Sequence, residues 1–239
     1  MNNFGNESPP LKWLRKKLSV RRFLENLSEL VRGDFDVFLK ESIGVIHIGA
    51  NDGQERSKYA KHNLNVVWIE PITDNFFRLR ENIKFLPNQK AFQYLLAFDN
   101  GTYRLNISSN NGESSSILDL ARHRDVWPSV GYVSQVEMEA ITLPQFLKTE
   151  DIDASAYDTV VLDTQGSELM ILRGAAQVLG NFRYIRTEAA DFESYAGGAT
   201  VRQIRDYLGS QGFRLRRSKR FMHKPGVGSY YELLFQRVE

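Results

Sequence analysis

A short apolar run, Val45-Ile46-His47-Ile48, passes straight into a turn punctuated by Gly49 and Gly53, and a second apolar run ends in an acid, Glu70, 21 positions after Gly49. Four residues dominated by β-branched side chains, bounded by glycine, read as a strand buried on both faces, and such strands belong to parallel sheets covered by helices. Gly49 and Gly53 let the backbone turn sharply, and Asn51 between them is the residue type after glycine that best tolerates a left-handed conformation. Asn65–Ile69 is the second strand. Its terminal Glu70 stands at the spacing of about 20 residues at which a βαβ unit offers a carboxylate to the two hydroxyls of a nucleoside ribose.

The turn departs from the G-x-G-x-x-G arrangement that sets a helix N-terminus on a pyrophosphate, and it holds no Lys or Arg to bind a phosphate. A ribose-bearing cofactor without phosphates, S-adenosylmethionine (SAM), suits it. The plainer alternative is a tight strand–helix connection with no ligand.

The remaining chain alternates strands with helices. Gln54–His62 reads as a helix; Thr73 reads as the N-cap of another carrying Phe76, Phe77, Leu79, Ile83 and Phe85. Phe92–Phe98 is expected as a third strand, with Thr102–Ile107 as its hairpin partner across the Asp99-Asn100-Gly101 turn. Ser108–Ser116 is a polar loop, a helix is expected around Ile117–His123, and Val136–Leu143 alternates like a strand. Tyr157–Leu162 is a further buried strand ending at Asp163, followed by a helix with Leu169, Leu172, Ala176 and Leu179 on one face. Phe182–Arg186 ends at Thr187-Glu188; a helix over Val201–Leu208 and strands from Gly212 and over Tyr230–Gln236 complete the pattern. The expected fold is α/β, a Rossmann-like, mostly parallel, doubly wound sheet. Ligands of such sheets bind beyond the carboxyl ends of the strands, where Gly49, Glu70, Asp99, Asp163 and Glu188 are expected to converge.

The 239 residues suit one such domain with an extension, divided as 1–40 (tail and basic helix) and 41–239. Over residues 11–31 apolar positions recur at helical spacing opposite Lys12, Arg15, Lys16, Lys17, Arg21 and Arg22, which reads either as a helix covering the core or as a peripheral contact with an anionic membrane. A net charge of +2 gives no electrostatic case for a nucleic-acid partner. The absence of cysteine excludes a thiolate nucleophile and Cys-ligated metal, and it is compatible with a reducing cytoplasm. No secretory pattern or membrane-spanning run is read, and no metal is expected.

Leu162–Ala175 (LDTQGSELMILRGA), together with Val45–Gly53, Trp68-Ile69-Glu70-Pro71, Ser114–Leu118, Ile185–Glu188 and the Tyr195–Gly198 turn, resembles the FkbM family of SAM-dependent methyltransferases in order and spacing over roughly residues 43–237. The resemblance implies a seven-stranded sheet with an antiparallel last strand and, most often, O-methylation of a sugar or another small hydroxylated product. It implies that Gly49, Ala50, Asn51 and Gly53 cradle the methionine part of SAM and that Glu70, followed by Pro71, holds the ribose. Phe98 and Asp99 would meet the adenine, and Asp163 would sit beside the sulfonium. Ser115, Ser116, Gln165 and Glu168 are placed on the acceptor side. Where the family usually has an acid in the first strand this chain has His47, in common with a branch that also carries the serine loop and a histidine matching His123.

Methyl transfer to an alcohol needs alignment, exclusion of water and a base for the hydroxyl proton. His123, Asp163 and Glu188 are the candidates, with His123 first because histidine titrates nearest neutrality. Competing readings are a nucleic-acid methyltransferase, weakened by the lack of an Asn-Pro-Pro-Tyr-type base pocket, and a noncatalytic SAM- or NAD-binding module. The basic run Arg214–Lys224 reads as a contact for a phosphate-bearing acceptor or as a charged strand edge. Neither the acceptor nor the oligomeric state follows from the sequence.

Overall fold

The computed structural model describes residues 35–238. The basic helix expected over residues 11–31 lies outside the described residues. Strand β1 (Gly44–Ile48) forms at the first apolar run and is buried along its whole length. It pairs in parallel with β2 (Asn65–Ile69) on one side and β7 (Thr159–Leu162) on the other. Beyond these, β3 (Gln89–Phe92) pairs with β2 and β8 (Tyr184–Ala190) with β7, again in parallel. The last strand, β10 (Gly228–Arg237), inserts antiparallel between β8 and β9 (Phe213–Lys224). The strand order β3-β2-β1-β7-β8-β10-β9 is the expected seven-stranded, mostly parallel sheet, with its order reversing between β1 and β7.

Helices α1 (Arg56–Lys61), α2 (Thr73–Ile83), α4 (Leu143–Thr149), α5 (Glu168–Gly174) and α6 (Val201–Ser210) connect the strands, with a single turn, α3 (His123–Val126), before α4. Ile46, Ile48, Val67, Ile69, Val160, Leu162 and Ile185 of the sheet pack with Phe146, Leu172 and Leu208 of the helices in one continuous core. Each such side chain contributes about 1.5–3 kcal/mol relative to exposure. At the start of α6, Thr200 and Gln203 form a reciprocal capping box.

Three local expectations differ. The strand expected over 92–98 is two pieces: β3 stops at Phe92, and β4 (Leu95–Leu96) joins a separate three-stranded sheet, order β4-β6-β5, with β5 (Gly101–Ser108) and β6 (Tyr132–Ile141). Between the pieces, Gln93 turns out of line and donates to Thr73 Oγ1 at 2.9 Å. The partner of β5 is therefore the distant β6 and not the preceding strand, antiparallel from Gly101 opposite Ala140 to Ser108 opposite Tyr132. In place of the helix expected around Ile117–His123 the chain bends between isolated bridges at Ser116 and Leu120, and Ala121 and His123 donate their N–H groups to the Ser194 carbonyl at 3.0 and 2.9 Å. His123 consequently opens a helical turn where a helix end was expected.

Candidate active site

The chain leaves β1 through Gly49, at φ +81°, and a Cβ on that residue would stand 1.9 Å from the Asp163 carbonyl oxygen. Only glycine lets the ends of β1 and β7 pass this closely. The N–H groups of Gly49 and Ala50 both donate to the Ile69 carbonyl, at 3.0 and 3.1 Å, and Gly53 N–H donates to Ala50 at 2.9 Å. Asn51 takes the left-handed conformation expected of it, at φ +46°. The turn thus satisfies its own donors and offers a ligand close approach.

Glu70 secures this turn from β2. One carboxyl oxygen accepts the Asn51 N–H at 2.8 Å and the other accepts the Ile72 N–H at 2.9 Å. Glu70 therefore stabilises the start of α2, whose N-cap is Ile72; Thr73, expected as that cap, is the first helical residue and caps nothing. Burial raises the Glu70 carboxyl to about 7 against the pull of both hydrogen bonds, and the charge of Asp163 adds to the rise. Each oxygen keeps a further lone pair for a ligand hydroxyl.

At the end of β7, burial likewise raises Asp163, while the Gln165 amide donates to its carboxyl at 2.6 Å. Gln165, held at φ +54°, accepts from the Tyr195 hydroxyl at 2.8 Å, and its carbonyl accepts from Ser116 Oγ at 2.7 Å. Ser116 Oγ also accepts the Leu118 N–H at 3.0 Å. Ser115 Oγ takes the Ser108 N–H at 2.9 Å. These serines, expected on the acceptor side, brace the loops that wall the site.

Two histidines occupy aromatic boxes. His47 stacks on Trp68 with ring centroids 4.8 Å apart and bonds the Tyr59 hydroxyl through Nδ1 at 3.0 Å. Burial lowers it to about 4, so it is a neutral, fixed wall residue. His123 sits 4.7 Å from Trp127 and 5.0 Å from Tyr195, ring centre to ring centre, with Nδ1 2.9 Å from the Tyr230 hydroxyl. Its Nε2 is buried without a hydrogen-bond partner among the described residues, and burial lowers its pKa to about 4. A buried polar atom left unpaired costs about 1–3 kcal/mol, which a ligand hydroxyl at that atom would recover.

Glu188 lies inside β8 and not at its end, since the strand runs two residues further. It faces Glu232 across the ladder with β10, and Glu232 is itself paired with Arg186 at 2.9 Å. Burial first, then the charges of Asp163 and Glu232, push the Glu188 carboxyl upward.

A cavity of about 360 Å³ gathers His47, Gly49, Ala50, Asn51, Glu70, Pro71, Ser115, Ser116, His123, Asp163, Gln165 and Glu188. That volume is in the range of small-ligand sites. Four sequence expectations fall outside it. Gly53 turns the chain beneath the site, where a Cβ would come 2.6 Å from Leu79. Phe98 is half exposed, and Asp99 accepts from the Tyr103 hydroxyl at 2.6 Å on the surface; Leu95 and Leu96 line the cavity instead because the chain bends into the small sheet there. Glu168 turns its buried carboxylate onto the N–H groups of Thr164 and Gly166, at 3.0 to 3.1 Å, and closes the loop before α5. Among the lining residues that the sequence does not single out are three aromatics, Trp127, Phe221 and Tyr230. Trp127-Pro128 was visible only as a stop signal, and Phe221 only as one apolar residue inside a basic run.

All the acids on this wall, Glu55, Glu70, Glu113, Asp163 and Glu188, meet no lining Lys or Arg among the described residues. Burial raises the carboxyls of Glu70, Asp163 and Glu188, the charge of Asp163 adding to the rise of the other two, and such groups favour a ligand that brings positive charge. Among the described residues no group of three or more His, Asp or Glu is arranged to hold a metal ion.

A family model described as Methyltransferase FkbM domain matches residues 47–215. The chain is 25% identical over 174 residues, 70% of its length and 71% of the relative's, to the 2-O-methyltransferase NoeI of Sinorhizobium fredii. Among solved structures it resembles Aeropyrum pernix fibrillarin with natively bound S-adenosyl-L-methionine, at TM-score 0.48 and 9% identity, covering 87% of this chain and 74% of that one. It also resembles magnesium protoporphyrin IX methyltransferase of Synechocystis with bound SAM, at TM-score 0.45 and 12% identity, covering 99% and 87%.

Proposed function

The chain belongs to the FkbM methyltransferase family, and from that premise we propose that it transfers the methyl group of SAM to a hydroxyl of a sugar, a glycan or a related small acceptor. The observation that carries the proposal is His123: a buried imidazole whose Nε2 has no hydrogen-bond partner among the described residues, on the wall of a cavity that also takes in the glycine turn and Glu70. The 2-O-methyltransferase activity named for the Sinorhizobium relative supports an oxygen as the acceptor atom.

SAM supplies an electrophilic methyl group on a positively charged sulfur. Glu70 accepts hydrogen bonds from the ribose hydroxyls with the lone pairs that Asn51 and Ile72 leave available. The Gly49–Asn51 backbone lies against the amino-acid portion, and Leu95 and Leu96 cover the base. Asp163, oriented by Gln165, supplies negative charge beside the sulfonium. Acid-only walls fit a donor with net positive charge, which is the test these residues pass. His123 is neutral above about pH 4 and is held at Nδ1 by the Tyr230 hydroxyl, so Nε2 is free to accept the hydrogen bond and then the proton of the acceptor hydroxyl. Burial makes it a weaker base than the near-neutral imidazole expected from the sequence. Glu188 orients the acceptor hydroxyl.

Calorimetric titration with SAH and with NAD, followed by transfer of labelled methyl from SAM to a panel of glycosides, tests the assignment. SAH binding without NAD binding is expected; preference for NAD would end it. His123→Gln is expected to lower kcat by about 10²–10⁴-fold while SAH affinity stays within about twofold. Unchanged kcat in that variant would remove His123 as the base.

A further inference from the structure

Phe221 stands in β9 where the ladder with β10 slips: Tyr230 pairs with Met222, and Tyr231 already pairs with Arg220, so Phe221 has no partner. This is a β-bulge, a device that re-aims a side chain. Here it sends the second of the strand's two phenylalanines to the cavity, where it is 42% exposed. Its ring centroid is 6.0 Å from that of Tyr230, which lies 4.7 Å from Trp127. The same Tyr230 hydroxyl holds His123. Bulge, aromatic ledge and histidine are therefore one connected unit on the cavity wall.

The charges of β9 do not follow Phe221 inward. Arg214, Arg216, Arg217, Lys219, Arg220 and Lys224 all stay off the cavity wall, which carries acids alone. A phosphate or carboxylate near the reacting hydroxyl would find no lining Lys or Arg among the described residues to neutralise it, beside a Glu188 whose own ionised form burial and the charge of Asp163 already disfavour. Aromatic rings favour flat C–H surfaces, which approach their electron-rich faces.

We infer that Phe221 and Trp127 form the acceptor subsite and that it selects an uncharged pyranose ring, excluding sugar phosphates and uronic acids at the reacting residue. This rests on the methyltransferase reading above and narrows its acceptor. Phe221 and Trp127 are specificity-determining residues; the proton is handled at His123.

The test uses the full chain saturated with SAH and titrated calorimetrically with methyl glycosides of neutral hexoses, with the matching uronides and with the 6-phosphates. At least one neutral hexoside is expected to bind, with its uronide and 6-phosphate weaker by about tenfold or more. Phe221→Ala is expected to weaken the neutral hexoside by about fivefold to tenfold and to leave SAH affinity within about twofold. Phe221→Tyr, which keeps the ring, restores hexoside binding. Binding of the charged sugars as tightly as their neutral counterparts, hexoside affinity unchanged in Phe221→Ala, or no hexoside bound up to its solubility would each overturn the inference. Loss of SAH binding by the unaltered chain would instead overturn the methyltransferase reading.

Discussion

Gly49→Ala is expected to destabilise the protein by upwards of about 4 kcal/mol and to abolish SAH binding. The new Cβ would lie 1.9 Å from a carbonyl oxygen of Asp163, a backbone atom at the end of a neighbouring central strand. Relief requires β1 and β7 to separate, and both are fully buried in the core. The φ of +81° adds about 1–2 kcal/mol for any residue with a side chain. Gly131→Ala is the control: a Cβ there meets nothing within 4 Å, so its effect is expected within about 0.5 kcal/mol. Urea unfolding and SAH titration of both variants measure the difference, and a Gly49→Ala protein of native stability would show that the strand ends have room to spare.

Glu70→Ala is expected to cost at least about tenfold in SAH affinity, as loss of a charged hydrogen bond of about 1.5–3 kcal/mol requires. It also leaves the Asn51 and Ile72 N–H groups without their acceptor, so a lower Tm accompanies the loss. Glu70→Gln separates the two effects partially, since an amide offers one acceptor oxygen where the carboxylate has two. Unaltered SAH affinity in both variants would show that the ribose is held elsewhere.

A pH dependence follows from the same acid. Burial raises the carboxyls of Glu70 and Glu168 from 4.5 to about 7 in the folded chain. The folded protein then retains protons that the unfolded chain releases above about pH 4.5, which favours the fold at low pH, and this contribution is lost as pH rises through 7. A ligand carrying a sulfonium reverses the balance by stabilising the ionised acids. The rise in Tm on adding SAM is therefore expected to be larger at pH 8 than at pH 6, with SAH, which lacks the sulfonium charge, showing a smaller difference. Equal shifts for both ligands at both pH values would mean that these carboxylates do not feel the donor.

The central strands and their carboxyl-end acids were legible because β1, β2 and β7 are apolar runs with no other place to go, and the sheet forces Gly49, Glu70 and Asp163 together once those runs pair in parallel. The position of Glu70 at the end of β2 follows from spacing alone. The region between β3 and β7 was not legible. Leu95–Leu96 is too short to announce a strand, and its partner β6 lies some forty residues on, so only the tertiary fold decides its pairing. His123 lines the cavity, but the sequence suggests a helix ending at this residue where the Ser194 carbonyl holds the preceding chain out of a helix. Phe221 was invisible because a bulge is a property of two strands, and one strand's sequence shows only half of it.

The hairpin that brings Phe221 and Tyr230 to the cavity is joined to the parallel strands by β10 alone, with β9 as the sheet's outer edge. Insertions or exchanges near its tip, Lys224–Gly228, would leave β1, β2 and β7 undisturbed. One wall of the cavity is thus carried on a peripheral ribbon that can be redesigned without touching the strand ends around Gly49 and Glu70.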